Sequence, residues 1–393
     1  MLQVLLNVLY RSSFDHCIEP LRPITEVREP AHSPESPLQA RRALADHADA
    51  VQLHPAVRAL LLGATVLALA SCARPRALQT FTGLAQGTTY TLQWWSEDRV
   101  DTRALTTAVT AELERLDALL SNYRADSALE RFNATRSTEP QQLPAELVSL
   151  FELAVDIHRR SAGCFDPSVR PLVRLWGFDG DDPHVPGDDE IVSTLARVGL
   201  DKLEIVDKEH VRKARADLEI DMASIGQGYT VGRISDVAAG FGLRNYLFEI
   251  GGELAGRGTR PDGKSWRVGI ENPDKEDAPI RALNLPSDRV TAVITSGSYR
   301  HNFTDHDRVY GHILDPRTGR SVDHDLVSVT VTGAVAARTA AWGTALLCLG
   351  PTPAFETAER EQVAAVFILK TPAGFEVRQS SAFNAAWGQA APP

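Results

Sequence analysis

Four short segments place polar side chains where a packed strand or helix would not require them. Gln86-Gly87-Thr88-Thr89-Tyr90 is a glycine turn with hydroxyls at the start of a strand. Gly163-Cys164-Phe165-Asp166-Pro167, followed by Pro171, Leu172 and Leu175-Trp176-Gly177-Phe178, holds an Asp beside prolines, with aromatic rings able to cover a planar ligand. Asp221-Met222-Ala223-Ser224-Ile225-Gly226-Gln227-Gly228-Tyr229 runs from a strand through a small-residue turn into a helix. Its glycines admit close backbone approach, and the N-terminus of the following helix offers unpaired N–H groups and positive dipole to a phosphate. It is neither a Walker loop, lacking the GK[ST] ending, nor a GxGxxG turn. The fourth, His312-Ile313-Leu314-Asp315-Pro316-Arg317-Thr318-Gly319, is preceded by Thr295-Ser296-Gly297-Ser298-Tyr299. A His three residues before an Asp-Pro turn can titrate near neutrality and move a proton. Each segment also has a plain reading, because tight turns and structural histidines need the same residue types.

The elements that must carry these segments are legible from periodicity. Thr88–Trp95 interleaves β-branched and aromatic residues with polar ones and predicts a strand. Thr102 can cap a helix whose stripe is Leu105, Val109, Leu113, Leu116 and Leu120, ending near Asn122. A second helix follows Pro144, with Leu147, Leu150, Phe151, Ala154 and Ile157 inward and Gly163 placed to end it. Further strands are expected at 202–206, 218–222, 246–250, 266–270, 292–295, 327–332, 363–369 and 375–378, and helices after Gly228 and at 335–349 and 353–361. Strands and helices are mixed rather than strictly alternating, which predicts an α+β fold and not a doubly wound parallel sheet. No repeat or long linker interrupts the stretch, so 81–388 is expected to be one domain.

The chain has 393 residues, 43% hydrophobic and 23% charged, and a formal net charge of −10. Such a balance, without a Lys/Arg cluster, predicts no nucleic-acid partner. The four cysteines, Cys17, Cys72, Cys164 and Cys348, show no CxxC pair, so neither a zinc site nor a disulfide framework is expected. Cys72 stands apart. It ends an apolar run from Ala59 to Ala70 that is shorter than the ~20 residues a spanning helix needs. Arg58 precedes the run and Leu69-Ala70-Ser71-Cys72 closes it, so 51–72 resembles a lipoprotein signal peptide whose cysteine becomes lipid-modified, with 73–80 as a tether. Residues 1–50 are rich in Arg, Pro, His and Glu and read as a disordered or spuriously translated extension, with Val51 as the expected true start.

In series, the four segments resemble the FAD:protein FMN transferase family, the ApbE flavin transferases. The resemblance also rests on Ser121-Asn122-Tyr123-Arg124, Phe132-Asn133, Ile250-Gly251-Gly252-Glu253 and Ser328-Val329-Thr330-Val331, and it spans 81–387. It implies a single mixed-sheet, T-fold-related α+β domain. It implies an enzyme that splits FAD at the pyrophosphate, joins FMN to a Thr or Ser hydroxyl of an acceptor protein, typically a membrane redox-pump subunit, and releases AMP with the help of Mg²⁺. Carried onto this chain, Gln86, Tyr123, Cys164, Phe165, Asp166, Asp221, Gln227 and Leu314 would contact FAD, and Ser224 and Thr344 would hold Mg²⁺. His312 and Asp221 would be catalytic. Cys164 would be a pocket residue and not a redox thiol, while Cys348 is expected in the core. Many members are exported lipoproteins, which implies a bacterial envelope location facing the periplasm, with Cys72 anchored in the bilayer.

One segment departs from the pattern. In Arg338-Thr339-Ala340-Ala341-Trp342-Gly343-Thr344, relatives usually carry Asp at the position of Ala340 and often at Gly343. Gln227 likewise stands where Lys or Glu is common. A hard dication prefers charged oxygens, so three functions stay open: an active transferase with an altered metal shell, a flavin-binding lipoprotein that transfers slowly or only hydrolyses FAD, and a structural lipoprotein.

Overall fold

The computed structural model describes residues 77–180, 182–274, 279–299 and 301–388; the expected leader and Cys72 lie outside them. Its frame is one eight-stranded sheet. The strands are β1 (Gln79–Ala85), β2 (Thr88–Trp95), β3 (Asn245–Ile250), β4 (Glu253–Arg257), β5 (Thr291–Gly297), β6 (Leu326–Gly333), β7 (Ala364–Thr371) and β8 (Gly374–Gln379). Each pairs antiparallel with the next, so the sheet is a meander, as an α+β fold allows.

Helices enter as insertions between strands. Between β2 and β3 lie α1 (Thr102–Leu120), α2 (Ala128–Ala134), α3 (Ala145–Arg160), α4 (Arg170–Leu175), α5 (Asp188–Leu195) and α6 (Ala223–Gly240). Between β6 and β7 lie α7 (Ala336–Leu349) and α8 (Pro351–Arg360), and α9 (Ser381–Trp387) follows β8. The period-two alternation of the strands feeds two cores. Leu92, Phe248, Ile250 and Ile294 pack against Leu105 and Val109 of α1, Val231 and Ile234 of α6, and Ala336 and Ala340 of α7. On the other face Val293, Val366 and Ile368 meet Trp266, Val268, Leu283 and Phe383.

Most elements stand where their periodicity put them, and the departures have physical causes. Asp101, not Thr102, caps α1, its carboxylate accepting from Ala104 N at 3.0 Å. Residues 218–222 are not a strand, although the apolar Leu218, Ile220 and Met222 alternate along the chain and are buried. Their backbone is satisfied elsewhere: Ile220 N donates to Asn133 Oδ1 at 2.8 Å, Asn133 Nδ2 donates to Ile220 O at 2.9 Å, and Asp221 N donates to Pro167 O at 2.7 Å. A side chain thus replaces a partner strand. Asn133→Ala is expected to destabilise the protein by about 2 kcal/mol through two lost buried hydrogen bonds, read as a lower midpoint in urea.

The expectation for the cysteines is corrected. Cys164, at the turn after α3, and Cys348, at the end of α7, form a disulfide with Cα atoms 5.7 Å apart. Their separation of 184 residues hides the pairing from the sequence, and only the packing of that turn against α7 brings them together.

Candidate functional site

The first half of α6 organises the site. Asp221 stands two residues before this helix, and its Oδ1 accepts from Ala223 N at 2.7 Å and from Asn122 Nδ2 at 2.6 Å. Burial raises its pKa against the opposing pull of those two donors. Asn122 is fixed in turn: its carbonyl accepts from Arg170 Nη2 at 3.1 Å, and Arg170 also pairs with Glu130. Tyr123, the next residue in the chain after Asn122, is 87% exposed. Ser224 and Gln227 are not in a turn before the helix but within its first two turns, since α6 starts at Ala223.

Two hairpins of the sheet close on the same helix. The β1–β2 turn is Gln86-Gly87, both with positive φ (51° and 74°), as a two-residue hairpin requires. Gln86 Nε2 donates to Thr230 Oγ1 of α6 at 2.8 Å, while its Oε1 is buried without a partner among the described residues. At the β3–β4 turn, a Cβ on Gly251 would lie 2.9 Å from Gln227 Nε2 and 3.1 Å from Thr88 Cγ2. Glycine at 251 therefore lets the Gln227 amide lie against both hairpins. Gln86, Thr88 and Gln227 are thus neighbours.

Small residues let α6 and α7 approach closely. A Cβ on Gly228 would meet Ala340 Cβ at 2.4 Å, and one on Gly232 would meet Ala336 Cβ at 3.6 Å. Ascending α6 by one turn descends α7 by one turn, so the helices run antiparallel here, and Ser224 and Thr344 stand four residues beyond the Gly228–Ala340 contact on their respective helices. Thr344 Oγ1 lies 3.5 Å from Ser296 Oγ on β5. At the Gly228–Ala340 level sits Glu253, the first residue of β4, whose Oε2 is 3.2 Å from the Gly228 Cβ position. That oxygen is buried with no partner among the described residues, and burial pushes the carboxyl up to about 8. No role was assigned to Glu253 from the sequence; an acid opening a strand between apolar neighbours was the available signal. Ser224, Ser296, Thr344 and Glu253 carry oxygen donors alone, the ligand type that suits a hard cation such as Mg²⁺.

The remaining candidates divide into two groups. Cys164, Phe165, Asp166 and Leu314 are buried. Asp166 is turned inward: its carboxylate accepts from Ser168 N at 2.8 Å, Ser168 Oγ at 2.5 Å and Leu200 N at 2.9 Å. It holds its turn in shape. His312 lies by an aromatic cluster, its ring 6.5 Å from Phe178 and 5.6 Å from His301. Its Nδ1 is 3.1 Å from His301 O, an acceptor only, so Nδ1 carries the hydrogen and Nε2 keeps the lone pair. Burial lowers its pKa, which favours that neutral form. No hydrogen bond joins His312 to Asp221 among the described residues.

Glycine hairpins closing on the first turns of one helix, with polar side chains there and an unpartnered acid beside it, define a class: an α+β protein whose antiparallel meander gathers its candidate site around one central helix. The comparisons sharpen this. The family model described as the ApbE family matches residues 86–367. The FAD:protein FMN transferase of Salmonella typhimurium is 33% identical over 331 residues, covering 83% of this chain and 93% of that protein. The protein of the same name from Klebsiella pneumoniae is 34% identical over 340 residues, covering 83% and 96%. Among solved structures, the flavinyl transferase ApbE of Pseudomonas stutzeri in its apo form superposes with a TM-score of 0.74 at 35% identity, covering 80% of this chain and 98% of that one. The flavin transferase ApbE of Vibrio cholerae gives a TM-score of 0.72 at 31% identity, covering 79% and 99%. This chain belongs to the ApbE family.

Proposed function

We propose that the protein is a FAD:protein FMN transferase that moves FMN from FAD to a Thr or Ser hydroxyl of an acceptor protein, with Mg²⁺, and releases AMP. Family membership over most of the chain carries this reading, and the site supports it. The acceptor oxygen bonds to the phosphorus of the FMN half as the bond from that phosphorus to the AMP oxygen breaks. The hydroxyl proton goes to His312 Nε2, the free lone pair of a neutral ring. Asp221, pinned by Asn122, Ala223 N and the Pro167 carbonyl, and Gln227, held over Gly251, orient the dinucleotide. Tyr123 offers its exposed ring to a flat ligand. Ser224 and Thr344 would hold Mg²⁺, which when bound neutralises diphosphate charge.

A membrane redox-pump subunit is the proposed acceptor. The protein is further proposed to be an envelope lipoprotein facing the periplasm, with 51–72 as leader and Cys72 as the anchored residue. The apolar run before Cys72 supports this, as does the Cys164–Cys348 disulfide, a bond of oxidising compartments. Cys72→Ser is expected to move the protein from the membrane to the soluble fraction.

A second reading, a flavin binder without transfer, is favoured by one observation: Ala340 leaves α7 without an acid beside Thr344. Incubation with FAD and an acceptor domain separates the two. In-gel flavin fluorescence on the acceptor with Mg²⁺ and none with EDTA is the expected result. FAD retention without labelling would replace the transferase reading by the binder.

A further inference from the structure

We infer that Glu253 supplies a carboxylate for the divalent cation beside the Gly228–Ala340 contact of α6 and α7, one helical turn from Ser224 and Thr344. The inference rests on the transferase reading and names the ligand that reading lacks. A hard dication takes charged oxygens, yet neither the facing residues Gly232, Ala336, Gly228 and Ala340 nor Ser224 and Thr344, one turn further on, is acidic. Asp221, the acid at the start of α6, has its Oδ1 occupied by Asn122 and Ala223 N. Glu253 is different. Its Oε2 reaches the α6–α7 contact against Gly228, is buried, and has no hydrogen-bond partner among the described residues.

A buried acceptor without a partner costs free energy unless a water or ion completes it. The side chain starts on β4, at the turn whose Gly251 touches Gln227, so the sheet and not α7 would deliver the negative charge. The architecture explains the route. A Cβ added to Gly228 would fall 2.4 Å from Ala340 Cβ and one added to Gly343 would fall 2.8 Å from Ser296 Oγ, so α7 packs closely on α6 and β5, and Glu253 reaches this contact from β4.

The test uses Mn²⁺ as the probe on the full-length protein loaded with FAD. Manganese EPR titrations compare wild type with Glu253→Gln, and FAD binding in EDTA reports the fold. The expected result is a loss of Mn²⁺ affinity of at least about tenfold, since even outer-shell changes cost 10–100-fold, with FAD binding in EDTA retained. Unchanged Mn²⁺ affinity in Glu253→Gln overturns the inference and leaves the transferase reading intact. Failure of the wild type to bind FAD sinks that parent reading, and the inference with it. Should Glu253→Gln not fold, anomalous scattering from wild-type crystals soaked in Mn²⁺ decides. A peak within about 2.0–2.6 Å of a Glu253 carboxylate oxygen, the range of hard-cation ligands, supports the assignment, and a peak bound without Glu253 overturns it.

Discussion

His312→Gln is expected to lower the rate of FMN transfer about 10²- to 10⁴-fold, the contribution of a positioned general base, while FAD affinity stays near that of the wild type. Gln can still donate to the His301 carbonyl, so the local packing survives; what it cannot do is accept a full proton at the position of Nε2. The pH profile separates this role from a structural one. Burial lowers the His312 pKa, so the acid limb of the wild-type rate falls below the ordinary value of 6.5. The Gln variant loses that limb together with its rate. The same shift predicts a stability signature: the unfolded ring takes up its proton at higher pH than the folded one. Stability therefore declines as pH falls from about 6.5 toward the folded pKa and levels off below it. His312→Gln should flatten that segment of the curve. A variant that keeps the acid limb at full rate would remove His312 from the chemistry.

The expected effect of His312 and the quieter role of Asp166 show what kind of information the sequence carries. Residue type and order located both segments, because a His before an Asp-Pro turn and an Asp before a Pro break periodicity wherever they occur. Direction was not legible. Asp166 points into the protein, satisfied by Ser168 and Leu200, because a turn that packs Phe165 and Pro167 inward must bury its acid too. The strands of the meander were read where alternation was clean, as at Thr88–Trp95, and missed where an edge strand such as Gln79–Ala85 faces water on most of its residues. Residues 218–222 show the reverse error: alternation was present, but Asn133 took the hydrogen bonds a neighbouring strand would have made. Alternation reports which side chains are buried, and pairing is a separate, long-range fact. Glu253 belongs to the same category, since only the approach of α6 to α7 reveals that its carboxylate ends in a dry place.

The disulfide is the clearest of these long-range facts, and it carries the second large expected effect. Reducing it, or replacing both Cys164 and Cys348 by Ala, is expected to cost about 2–5 kcal/mol, the usual range for a native disulfide, and to lower the melting temperature by about 4–10 °C. The bond closes a loop of 184 residues, so its loss restores considerable freedom to the unfolded chain. It also acts in the folded state. Cys164 sits in the turn proposed to meet FAD, and Cys348 is one helical turn beyond Thr344 on α7, so the bond ties the flavin turn to the helix proposed to hold the metal. Both cysteines are buried, and Cys348 lines a cavity of about 410 Å³ shared with Asp315, Arg317 and His324. Calorimetry with and without dithiothreitol gives the reading: the wild type should lose stability on reduction and bind FAD more weakly, whereas the double Ala variant should start low and not respond. Equal melting temperatures for oxidised and reduced wild type, with two thiols titrated after reduction, would show that packing alone holds the turn against α7, and that the flavin and metal elements need no covalent tie.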